Sequence, residues 1–268
     1  MIPLLLLSWL AATSDADTST QELQARAEAA IARGMELRDD PPAARHAFAE
    51  AADAYAALRA RGAENPELYR NLGNAHLLAG KLPEAIFAYL KGLTLDPDNR
   101  QLRDSLDFAR AQIDFSHSAT GRPPSDDRPP WLPNLTPRTR LLLAGAFLAL
   151  FWLTLTRYVM TRHGIHILFG GFCIVAVGVC TASMLADYRA HREQIDKPLV
   201  VVHDDGVELR TGNGADYPAR DNVPALKGGM EGELLGKRAD LRGVNWLRIR
   251  LASGEVGWVR ADEALVDE

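Results

Sequence analysis

Two apolar runs, Leu141–Met160 and Ile165–Ala186, stand almost back to back with little more than "TRHG" between them. They constrain this chain more than any other feature. Each is close to the ~20 residues that span the hydrocarbon core of a bilayer. Neither carries a charge in its middle, and Arg157, near the end of the first, can snorkel to the interface. A core helix of a soluble domain shows a polar face, whereas these runs are apolar all round. The pattern predicts a transmembrane helical hairpin over residues 139–188, embedded in lipid, with both flanks of the chain on one side. Gly145 with Ala149, and Gly170, Gly171 and Gly178, are expected where the two helices approach closely.

The first residues bear on which side that is. "IPLLLLSWLAA" is apolar but too short to span. Small residues follow, Ser14 and Ala16, which reads as a secretory signal peptide over residues 1–16, although no Lys or Arg precedes it. Such a leader sends both flanks out of the cytoplasm. Basic residues do not decide the matter: Arg157 and Arg162 lie by the inter-helix turn, Arg138, Arg140, Arg189 and Arg192 on the outer flanks.

Between the leader and the hairpin, residues 20–114 are rich in Ala, Leu, Glu and Arg, with apolar residues at helical spacing. "DDPP" and "GAENP" interrupt the helices. Over residues 66–97 the pattern sharpens: Tyr69, Leu72, Gly73 and His76, then Ala85, Tyr89 and Pro97. These residues resemble the tetratricopeptide (TPR) repeat, with His76 where an aromatic is usual. Gly73 and Ala85 are small where two antiparallel helices meet, and Tyr69 and Tyr89 fill the space beside them. One repeat cannot bury its own faces, so a preceding pair over about residues 22–61 and a closing helix at Leu102–Ile113 are expected. In the resemblance, the first helix of each repeat lines a groove for a protein partner. Arg70 and Asn74 share one face of that helix, at positions similar to those of carboxylate-clamp repeats, and Leu77 and Leu78 sit further along, one expected in the groove and the other in the core. A Pro-rich linker follows over residues 115–138, with Trp131 placed to lie in the headgroup region.

The last segment, residues 197–268, has short β-like runs: "LVVV", "GVELR", "GELLGKR", "NWLRIRL" and "EVGWVRA". Five strands in so short a span predict a small closed barrel. The stretch "RTGNGADYP" is not a phosphate-binding loop, because no helix follows it. Asn213-Gly214 reads as a turn and Gly212 as freedom for positive φ. "VELRTGNGADYP", "LKGGMEGELLG" and the closing Gly257-Trp258-Val259 together resemble a bacterial SH3 domain. The resemblance implies a peptide-binding rim carrying Tyr217 and Trp258. Bacterial SH3 domains elsewhere bind peptidoglycan, which makes cell-wall binding the alternative reading.

The order of segments also resembles the TPR-containing, BatE-like component of Bacteroides aerotolerance (Bat) operons. That resemblance implies a scaffold in the bacterial inner (cytoplasmic) membrane with both soluble parts extracytoplasmic. Its implied partners are other membrane proteins, von Willebrand A-domain proteins of the same system, and a MoxR-type ATPase.

No residue pattern calls for catalysis or a cofactor. His163, His166, Cys173 and Cys180 fall on or near one helical face, but successive members of that stripe lie about 10 Å apart along a helix, too far to share an ion. Asp39-Asp40, Asp126-Asp127 and Asp204-Asp205 sit in turns, as solvated acids do. A net charge of −5 without a dense basic run argues against nucleic acid. The expectation is a non-enzymatic, multidomain membrane adaptor.

Overall fold

The structure, a computed structural model, describes residues 3–113, 137–195, 198–221 and 223–266. The expected linker, with Trp131, lies outside the described residues up to Pro137. The chain divides into two compact units: Met1–Pro124 with Lys197–Glu268, and Ser125–Asp196.

The first unit begins with five helices: α1 (Pro3–Glu36), α2 (Pro41–Ala60), α3 (Pro66–Leu78), α4 (Leu82–Leu95) and α5 (Arg100–Arg110). The expected leader is helical from Pro3 and runs unbroken into α1. The other starts follow from local chemistry. Asp40, Asn65 and Asn99 cap α2, α3 and α5 by accepting from the backbone N–H of Ala43, Leu68 and Leu102 at 3.3, 2.7 and 3.2 Å. Proline occupies the first turn of α2, α3 and α4, where its missing N–H costs nothing. Gly80, at φ +81°, turns the chain from α3 into α4.

Helix pairs α1–α2 and α3–α4 pack as successive hairpins, and α5 closes the stack. Gly73 is small for the expected reason: a Cβ there would lie 2.4 Å from the Tyr89 ring. The same device recurs at Gly34 against Phe48 and at Gly92 against Leu102. One apolar cluster joins Ala51, Tyr55, Leu68, Tyr69 and Leu72 across α1–α4.

The C-terminal part of this unit is one antiparallel sheet: β1 (Leu199–Val202), β2 (Glu231–Ala239), β3 (Asn245–Leu251), β4 (Val256–Arg260) and β5 (Ala264–Val266), ordered β4-β3-β2-β1-β5. The closed barrel expected from the sequence is not formed; the sheet is open, with β4 and β5 at its edges. Two local features explain the difference. The outer edge of β4 is taken by Arg210, whose backbone exchanges two hydrogen bonds of 2.9 Å with Trp258. The run "GVELR" therefore makes isolated bridges instead of a full strand. Its Val207 and Leu209 still point into the core with Leu226, Leu247, Ile249 and Val259. The fifth strand is instead the short β5, which pairs with β1.

A second apolar cluster crosses from helices to sheet. Ile86, Tyr89, Leu102, Leu106 and Ile113 pack with Val201, and Leu199 and Leu265 press against them. The array and the sheet thus share a core, although the sequence reads as separate domains.

The second unit is α6 (Pro137–Thr161) and α7 (Ile165–Ile195), joined at a turn in which Arg162 adopts φ +55°. Both are long and apolar enough to cross a membrane, over Arg138–Thr161 and Ile165–Ala186, with only 11% of each apolar stretch buried. The helices meet at Phe147 and Phe172, ring centroids 6.2 Å apart, and at Gly170, which faces Phe151 and Thr154. Gly145, Gly171 and Gly178 do not serve the close packing expected of them. A Cβ on any of these would meet nothing within 4 Å, because they face away from the partner helix.

Candidate protein-interaction surfaces

The groove begins with spacing. TPR-like helix pairs repeat every ~34 residues, so Asp104 and Phe108 of α5 occupy the offsets that Arg70 and Asn74 hold in α3. Of these, Asn74, Asp104 and Phe108 reach the walls of one cavity of about 410 Å³, and Arg70 does not line it. Asn74, Leu77 and Leu78 line it from α3, Asp104 and Phe108 from α5, and Tyr89 from α4 below. Leu78 and Phe108 stand 40% and 63% exposed and together make an apolar patch on the walls of the cavity.

Arg70 and Asn74, the polar residues expected to bind a partner, are already engaged. The Arg70 guanidinium donates to Gln101 Oε1 on α5 and, at 3.3 Å, to Glu67 Oε1. Asn74 Oδ1 accepts from the Tyr89 hydroxyl at 2.7 Å. Burial pushes the Tyr89 pKa up to about 12, so this hydroxyl stays a donor. Arg70 therefore ties α3 to α5, and Asn74 supports the floor. Leu77, half-buried, leans on the apolar cluster beneath. The groove that results is mainly apolar, with Asp104 at its edge 3.8 Å from the Arg100 guanidinium. Asp104 and Phe108 were not singled out in the sequence; the one-repeat offset from Arg70 and Asn74 was the signal that could have found them.

The second surface lies on the sheet. The Arg210 side chain donates to the carbonyls of Ala215 and Tyr217 at 2.9 and 2.8 Å, while its backbone pairs with Trp258. One arginine thus fastens the loop of Tyr217 to the strand of Trp258. Tyr217 is 50% exposed and folds over Gly212, where a Cβ would sit 2.5 Å from the ring. Gly212 is thus required for close approach; its φ is not among the positive ones.

The seam between array and sheet is a third feature, absent from the motif reading. Arg110 Nε and Nη2 grip Glu231 Oε1 and Oε2 at 2.7 and 2.8 Å, a bidentate pair of the strong kind. Burial works against the Arg110 charge, but the Glu231 hydrogen bond and field, with Asp107 behind, hold its pKa above the ordinary value. Beside this pair, Gly229 (φ +90°) brings its backbone against Ile113 and Ile86, and Gly228 lies over Pro83. The "GG" of "LKGGM" is thus one of the points where sheet and helices touch.

A family model for the tetratricopeptide repeat matches residues 66–99. The chain contains a tetratricopeptide repeat. The match covers α3, α4 and the turn before α5, and leaves the flanking helices to be recognised from their packing against it. Comparison with curated proteins and with solved structures finds no match.

Proposed function

We propose that this chain is a non-catalytic, membrane-anchored scaffold that uses the groove of its TPR helices to hold a protein partner. The observation that carries the reading is the α3–α5 groove, where two exposed apolar side chains, Leu78 and Phe108, face a cavity of about 410 Å³. An apolar or aromatic side chain of a partner fits that cavity, and a few well-buried anchors carry most of the energy of an interface. The anchor is the α6–α7 hairpin, whose outward-facing Leu, Ile, Val and Phe suit lipid and would be costly in water. Membrane proteins are the partners a scaffold so anchored meets first, and the Bat-like order of segments suggests von Willebrand A-domain proteins among them.

The leader favours an extracytoplasmic side for both soluble parts. The SH3-like resemblance is supported by the strand order and by the fastening of Tyr217 to Trp258 through Arg210. The test is co-purification of the full chain in mild detergent beside a Phe108→Asp variant. A membrane partner present with the parent chain and depleted at least tenfold from the variant is expected. Equal recovery from both, with the variant folded by circular dichroism, would sink the groove assignment.

A further inference from the structure

The β2–β3 hairpin ends in a turn unlike any other part of the sheet. Leu241 at its tip is fully exposed, the most exposed large apolar side chain among the described residues. The turn beneath is held firmly. Asp240 Oδ1 accepts from the backbone N–H of Arg242 and Val244 at 2.8 and 2.9 Å, and Oδ2 from the indole of buried Trp246 at 3.2 Å. These bonds, working against desolvation, draw the Asp240 pKa below its usual value. Gly243 supplies the positive φ (+79°) that closes the turn. Asn213 Nδ2 braces the hairpin by donating to Ala239 O at 3.2 Å.

The surroundings are basic although the chain is net acidic. Lys237, Arg238, Arg242 and Arg248 are all exposed near the tip. Register places Arg238 opposite Trp246, and Arg248 opposite Gly236 and Trp258, so both arginines rise from one face of the sheet. Among the described residues Lys237, Arg238 and Arg248 make no ion pair. Arg242 pairs with Asp216 at 3.5 Å with both side chains in solvent, an attachment of little strength, and also feels the charge of Asp240. Asp240, at the base of the turn, is occupied by its three N–H donors.

We propose that this tip inserts Leu241 into the headgroup layer of an anionic bilayer, with Arg238, Arg242 and Arg248 on the lipid phosphates. The shape favours lipid over protein. A partner protein would need a pocket to receive a convex leucine, whereas a headgroup layer yields to one, and each basic residue near an anionic surface adds to the attraction. Covalent tethering places a bilayer within reach, since α7 ends at Ile195 and β1 starts at Leu199. The inference rests on the membrane reading of α6 and α7.

The test uses the full chain in lipid nanodiscs, with Cys173 and Cys180 changed to alanine and a polarity-sensitive fluorophore at Leu241→Cys. A matching label at Ser253→Cys, on the turn at the other end of β3, serves as control. Blue-shifted emission and quenching by spin-labelled lipid are expected at position 241 alone. They should be stronger with phosphatidylglycerol than with phosphatidylcholine, and the anionic preference should fall about fivefold for each of Arg238→Gln and Arg242→Gln. Emission at 241 matching the control in both lipids, from chain retained in the discs, overturns the proposal and leaves the tip to a protein partner. Chain that separates from the discs overturns the membrane reading instead, and the proposal with it.

Discussion

Gly73 and Tyr89 show how little slack the repeat has. A methyl group at position 73 would have to displace a fully buried ring whose hydroxyl is tied to Asn74. Gly73→Ala should therefore destabilise the array by about 1–3 kcal/mol, read as a lower midpoint in urea. His76 supplies a different kind of prediction. Burial lowers its pKa below 6.5, with Lys81 and Arg59 acting in the same direction and Glu84 and Asp53 against it. Its Nδ1 is buried without a hydrogen-bond partner. The unfolded chain then binds the proton more readily than the folded one. The contribution of neutral His76 is intact above pH 6.5 and declines as the pH falls below it. His76→Tyr restores the usual aromatic and removes this titration, so the melting temperature of the variant should gain on the parent between about pH 7 and about pH 5.5. A constant difference across that range would count against the assignment.

At the scale of elements, the seam between α5 and β2 is where stability is most exposed to a single change. Removing the Glu231 carboxylate leaves Arg110 partly buried without its partner, which costs about 3–5 kcal/mol in such pairs. Glu231→Ala should lower the urea midpoint of the whole first unit, and Arg110→Met combined with Glu231→Leu should recover most of the loss. Little of this seam was legible in the sequence. Capped and proline-started helices, the Gly73–Tyr89 contact and the alternation Trp246-Leu247-Arg248-Ile249 all follow from local pattern, because the residues that decide them are close in the chain or periodic. Arg110 and Glu231 are separated by the linker and the hairpin, and nothing in either neighbourhood names the other. The barrel expectation failed for a related reason. Alternation shows which side chains of "GVELR" face inward, yet whether a strand finds a hydrogen-bonding neighbour depends on which edge is already occupied. The groove lies between these cases: the repeat offset contains Asp104 and Phe108, but only the packing of α5 on α4 turns them toward Asn74.

For the whole molecule, the shared core makes a demand on topology. A chain whose α5 grips β2 must keep both on one side of any membrane the hairpin crosses, and two spans satisfy this while one would not. Single cysteines at Glu64→Cys and Ser253→Cys, in a background without Cys173 and Cys180, should be labelled from the same face of sealed vesicles by a membrane-impermeant maleimide. Labelling from opposite faces would contradict either the two spans or the seam.

The seam also has a consequence in time. Ile86 and Ile113 leave the ribosome long before Gly229 and Val201, which come to lie on them. At cellular rates of synthesis, the intervening chain takes on the order of ten seconds to appear. Throughout that interval the end of the helical array presents bare isoleucine and leucine to its surroundings. A nascent chain of this kind is a candidate client for holding chaperones, and a stop codon shortly after the hairpin would leave it one permanently.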